Sequence, residues 1–80
     1  MGEERETEFQ KLVLVVDDNP TVRKFITGVL QPLGYNVRSS PDGMQALAEV
    51  ARRSPDLILL DLVMPRLNGY QFLRALEQKR

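Results

Sequence analysis

Neither cysteine nor histidine occurs among the 80 residues. Without cysteine there is no disulfide, no thiolate zinc site and no mark of an oxidising compartment. Without histidine, Ser-His-Asp and Cys-His catalysis and imidazole metal ligation are excluded together. Chemistry is left to carboxylates, hydroxyls, Lys, Tyr and the backbone. Excess charge is missing too: 11 Lys and Arg meet 11 Asp and Glu, for a formal net charge of zero. No global field draws the chain to nucleic acid or to an anionic membrane, and neither is expected as a direct partner. Long apolar runs are lacking as well; Leu57-Ile58-Leu59-Leu60 is far too short to span a bilayer. The N-terminus, Met1-Gly2-Glu3-Glu4-Arg5-Glu6, holds no apolar signal segment, so a cytoplasmic location is expected.

What is present suits one small folded domain: 42% of residues are apolar and 28% charged. Residues 1–10 are polar and acidic and read as a disordered leader. Residues 11–80 carry the fold. Lys11-Leu12-Val13-Leu14-Val15-Val16 is a continuous apolar run without alternation, as in a strand covered on both faces. It stops at Asp17-Asp18-Asn19-Pro20, where Asn19 fits a helix N-cap and Pro20 the first helical position. Val22, Phe25, Ile26, Val29, Leu30 and Leu33 recur at helical spacing; Pro32 loosens the helix end and Gly34 stops it. Tyr35-Asn36-Val37-Arg38-Ser39 alternates, which predicts a strand near a sheet edge. Ser40-Pro41-Asp42-Gly43 opens a second helix, with Ser40 as the expected cap and Met44, Leu47, Ala48 and Ala51 as the inner stripe. Asp56-Leu57-Ile58-Leu59-Leu60-Asp61 predicts a third strand, again buried on both faces, and a loop with Met64-Pro65 leads into a third helix that buries Phe72, Leu73 and Leu76. The order β-α-β-α-β-α implies an α/β fold, three layers with a parallel sheet.

The chemistry gathers at strand ends. Val16 gives way to Asp17-Asp18, and Leu60 to Asp61. Ligands of open parallel sheets bind beyond the carboxyl ends of the strands. If the first and third strands are neighbours, three carboxylates meet there. Such a cluster must hold a proton, shift a pKa or take a cation. With oxygen ligands alone, Mg²⁺ is the natural ion. A carboxylate beside Mg²⁺ can also act as a nucleophile toward a phosphoryl group. Asp61, alone at its strand end, is the expected nucleophile; Asp17 and Asp18 are the expected metal ligands. Each acid has a plainer reading. Asp at strand ends is common, and Asp18 taken alone fits a helix cap better than a ligand. Asp42 and Asp56 read as turn and cap residues.

Taken in order, Leu14-Val15-Val16-Asp17-Asp18-Asn19, Pro41-Asp42-Gly43 with Ala46-Leu47, Pro55-Asp56-Leu57-Ile58-Leu59-Leu60-Asp61 and Met64-Pro65-Arg66-Leu67-Asn68-Gly69 resemble the receiver domain of two-component response regulators. The resemblance implies a flavodoxin-like, CheY-like sheet of strand order 2-1-3, covering the N-terminal three βα units of a receiver. It implies that Asp61 accepts a phosphoryl group from a histidine kinase or phosphotransfer protein. It also implies Mg²⁺ held by Asp17, Asp18, Asp61 and the backbone carbonyl of Val63. A complete receiver has five βα units. The Ser/Thr of its fourth strand and the Lys of its fifth have no counterparts here, so phosphoryl transfer is expected to be impaired. The third strand would then present an apolar open edge that invites pairing. A homodimer or domain-swapped oligomer through that edge is expected, and the alternative to a phosphoacceptor is a structural fragment that self-associates there. An aspartate-nucleophile phosphohydrolase is disfavoured, because Val63 stands where those enzymes place a second Asp.

Overall fold

The central strand β1, Leu12–Val16, is buried along its whole length. Burial of each Val or Leu contributes about 1.5–3 kcal/mol, so this strand anchors the molecule. The computed structural model describes residues 10–61 and 69–78. After β1 come α1 (Pro20–Leu30), a 3₁₀ turn (Gln31–Leu33), β2 (Asn36–Ser40), α2 (Gly43–Arg52), β3 (Leu57–Leu60) and α3 (Gly69–Gln78). The sheet is parallel in the order β2-β1-β3. The acidic leader and residues 62–68, including Val63, Met64, Pro65 and Asn68, lie almost entirely outside the described residues; Gln10 alone of the leader is within them.

Side-chain alternation divides β1 between two layers. Leu14 and Val16 pack with Ala46 of α2 and Phe72 of α3, and Leu47, Val50, Ile58, Leu60 and Leu76 border that cluster. On the opposite face Val15 meets Ile26 of α1 across a cleft. The result is the expected three-layer α-β-α arrangement, with α2 and α3 on one side and α1 on the other.

Local chemistry sets the element ends. Asn19 caps α1, its Oδ1 accepting the N–H of Thr21 at 2.9 Å and of Val22 at 3.4 Å. Pro32 lacks an N–H, and the helix tightens there into the 3₁₀ turn. Gly34 closes it with φ 102°, a left-handed conformation that strains any residue with a Cβ.

Four expectations are corrected. Ser40 does not cap α2: it is the last residue of β2, paired with Val16, and the cap is Asp42, whose Oδ1 accepts the Gln45 N–H at 2.8 Å. The inner stripe of α2 is Ala46, Leu47 and Val50, which leaves Met44 60% exposed and Ala48 and Ala51 exposed too. The third correction is β3, which is not buried on both faces: Leu57 is 52% and Leu59 36% exposed. Its Ile58 and Leu60 face α2 and α3, but α1 packs over β2 and β1 rather than over β3. The fourth is Leu73 of α3, which is 45% exposed while Phe72 beside it is buried: the helix docks through a narrow stripe.

Candidate functional site

The register brings three strand ends to one level: Val16 pairs with Ser40 on one side and Leu60 on the other. The backbone continues this ladder by one residue. Asp17 N–H donates to the Ser40 carbonyl at 3.1 Å, and Asp61 N–H to the Val16 carbonyl at 2.9 Å. Asp17 and Asp61 therefore leave the sheet side by side. Asp18 follows on the β1–α1 turn.

The three carboxylates converge. One oxygen from each of Asp17, Asp18 and Asp61 lies within 4.8 Å of the others. Asp17 and Asp61 are half-buried and Asp18 is exposed. Opposed ligands of Mg²⁺ stand about 4.2 Å apart at its short metal–oxygen distances. An all-oxygen donor set of this spread fits a small hard cation bound directly or through water. It suits zinc or copper poorly, since it offers neither imidazole nor thiolate. Below the acids an open cleft of about 450 Å³ is lined by Val15, Asp17, Ile26, Leu59, Leu60 and Asp61. Its wall is apolar and its mouth acidic.

The turn carrying Asp17 and Asp18 is tied down on several sides. The Asn19 N–H donates to Asp17 Oδ1 at 2.9 Å, an Asx-turn bond. The Arg23 side chain donates from Nη1 to the Asp17 carbonyl oxygen at 2.7 Å. The Arg23 N–H donates to the Asn19 carbonyl at 3.1 Å. At the other end of the sheet Asp56 is more than a turn residue. Its N–H donates to the Leu12 carbonyl at 2.8 Å, and its Oδ2 accepts the Leu12 N–H at 2.7 Å.

Asp17, Asp18 and Asp61, each singled out from sequence, thus stand together, and Val63 lies outside the described residues. Asp18 is not the helix cap, since Asn19 fills that role. Arg23 and Ser40 have no site role in the sequence reading. Ser40 could have been found from its place at a strand end level with Asp17; Arg23 carries no comparable mark.

Residues 13–80 match the response regulator receiver domain family. The chain belongs to that family. Among relatives of receiver domains, it is 42% identical over 59 residues to protein PilG of Pseudomonas aeruginosa, covering 74% of this chain and 44% of PilG. It is 44% identical over 64 residues to the DNA-binding response regulator MtrA of Mycolicibacterium smegmatis, covering 80% of this chain and 28% of MtrA. Solved receivers superpose closely. Chemotaxis protein CheY4 of Vibrio cholerae gives a TM-score of 0.83 at 34% identity, over 88% of this chain and 58% of CheY4. Response regulator TrrA of Thermotoga maritima, solved in complex with Mg²⁺-BeF, gives 0.82 at 32% identity, over 89% of this chain and 62% of TrrA. The chain spans less than half the length of these two curated relatives. This receiver domain has the CheY-like sheet order, and its acids stand beyond the carboxyl ends of the strands, where such folds place their ligands. No helix among the described residues is long and apolar enough to cross a membrane.

Proposed function

We propose that this receiver domain is a phosphoacceptor of two-component signalling and that Asp61 takes the phosphoryl group. The observation carrying this reading is the convergence of the Asp17, Asp18 and Asp61 oxygens within 4.8 Å. An Asp61 carboxylate oxygen attacks the phosphorus of a phosphohistidine. The P–N bond breaks, the imidazole leaves and takes up a proton, and an aspartyl phosphate remains. The donor is a histidine kinase or a phosphotransfer protein of the cytoplasm, and nucleic acid is not contacted directly. Asp17 and Asp18, with Asp61 and the Val63 carbonyl, would hold Mg²⁺. When bound, the ion neutralises charge that would otherwise repel the incoming phosphoryl group. The Mg²⁺-BeF complex of the similar TrrA supports that assignment. Residues 11–80 form the working unit, outside the acidic leader of residues 1–10. Transfer in these 80 residues alone is slow, because no residue in them supplies the Ser/Thr and Lys that receivers carry on later strands.

The test is intact mass after incubation with acetyl phosphate and Mg²⁺. One added phosphoryl group is expected, and none in Asp61→Asn. No addition to the parent chain, or equal addition to the variant, would overturn the assignment.

One observation favours a second reading, an interaction module that self-associates. Leu57 and Leu59 are 52% and 36% exposed on a terminal strand with no charge or Pro inside it. Two copies related by a two-fold axis would pair their β3 strands antiparallel. Light scattering at micromolar concentration is expected to report a dimer that Leu59→Lys weakens. A monomer at these concentrations would dismiss it.

A further inference from the structure

We infer that Arg23 is a positioning residue of the acidic site, acting through the Asp17 carbonyl on where Asp18 stands. The inference rests on the cation-binding reading above. From the first turn of α1 the Arg23 side chain reaches back over the β1–α1 turn, its Nη1 holding the Asp17 carbonyl at 2.7 Å, while its backbone N–H makes the helix's opening bond to the Asn19 carbonyl at 3.1 Å. The first contact is short and charge-assisted, and it is half-buried. It fixes the plane of the peptide joining Asp17 to Asp18. That plane sets the direction in which the Asp18 side chain leaves the backbone. Asp17 has a second restraint through Oδ1 and the Asn19 N–H. Asp18 is exposed, and its place beside Asp61 depends on the backbone that carries it.

The guanidinium takes a backbone oxygen rather than a carboxylate of the site, so it orders the acids without occupying them. On its far side Arg23 borders an open groove of about 370 Å³ shared with Pro20, Lys24, Thr27, Gly28 and Ser39. Water entering from that groove can solvate the Asp17 carbonyl if the side chain is shortened. A truncation therefore perturbs the turn more than the fold.

The sign of the effect separates this role from simple electrostatics. Removing a positive charge near a cation site would, by charge alone, tighten Mg²⁺ binding. Loss of a positioning contact loosens it, by about tenfold for partners that orient a ligand. The experiment compares the full chain with Arg23→Ala and Arg23→Lys by isothermal titration with MgCl₂. In parallel, amide exchange of Asn19 is followed by NMR without metal. Arg23→Ala is expected to raise the Mg²⁺ dissociation constant about tenfold and to speed Asn19 exchange, with Arg23→Lys recovering part of both. Tighter or unchanged Mg²⁺ binding in Arg23→Ala would overturn the inference. So would unchanged Asn19 exchange, whether or not the parent chain binds the ion. If the parent chain takes up no Mg²⁺ while the exchange effect is seen, the cation-binding reading fails and the turn-holding role stands.

Discussion

Asp18 bears the most exposed of the three clustered carboxylates, and Asn19, not Asp18, caps the helix beside it. Its cost is repulsion from two neighbouring acids; under the proposed function its use is as a ligand for a cation. Asp18→Asn is therefore expected to stabilise the metal-free chain by roughly 0.5 kcal/mol, the scale of an exposed charge interaction. The same variant should forfeit the stabilisation that Mg²⁺ gives the parent, about 2.7 kcal/mol when the ion is a hundredfold above its dissociation constant. Urea titrations with and without MgCl₂ read both effects. Asp56 works in the opposite direction. It exchanges two hydrogen bonds with Leu12 across 44 residues of sequence. Asp56→Ala leaves the Leu12 N–H without its carboxylate and should cost about 1–3 kcal/mol, measured as a lower urea midpoint at unchanged slope. The sequence marks Asn19 and Asp61 because a cap and a lone acid at a strand end are local patterns. It hides Arg23 and Asp56, whose contacts are made by side chains reaching to backbone outside their own segments.

Among the elements, α1 and the 3₁₀ turn that follows it show two glycines with opposite meanings. Gly28 lies inside the helix, where an added Cβ would meet nothing within 4 Å. Gly34 sits at φ 102°, where any Cβ is strained however open the space. Gly28→Ala should stabilise by about 0.5–1 kcal/mol and Gly34→Ala destabilise by about 1–2 kcal/mol. Thermal unfolding followed by circular dichroism would show shifts of opposite sign. Helix α2 is capped by Asp42 and not by Ser40, and its buried face holds Ala46 and not Met44. Periodicity alone does not settle that phase, because Met44, Leu47, Ala48 and Ala51 form nearly as good a stripe as Ala46, Leu47 and Val50. Ser40 stays in the sheet, paired with Val16.

Across the whole molecule, stability is concentrated on one side of the sheet. Leu14, Val16, Ala46 and Phe72 form the buried cluster, and Phe72 is the one fully buried side chain among the described residues of α3. Phe72→Ala should cost about 3–5 kcal/mol. That is a large share of the roughly 0.05–0.15 kcal/mol per residue by which small domains are stable. Loss of a cooperative thermal transition is the expected outcome, checked by circular dichroism. Among the described residues the opposite side is open: Phe25, Leu57 and Leu59 are 70%, 52% and 36% exposed. An apolar strand reads alike in sequence whether one face or both are covered, so this asymmetry is invisible before the helices are placed.

The residue order by itself determined the alternation of strands and helices, the Asn19 cap, the Gly34 stop and the candidacy of Asp17, Asp18 and Asp61. Each follows from periodicity or from a backbone preference acting over a few positions. The tertiary structure places β1 between β2 and β3, the order that the receiver resemblance implied and local periodicity did not, and so gives the acids after Val16 and Leu60 one mouth. It also decided which face of β3 is covered and that Arg23 closes the turn. Those outcomes depend on strand register and helix placement, which are set by burial summed over distant segments and leave no local mark in the chain.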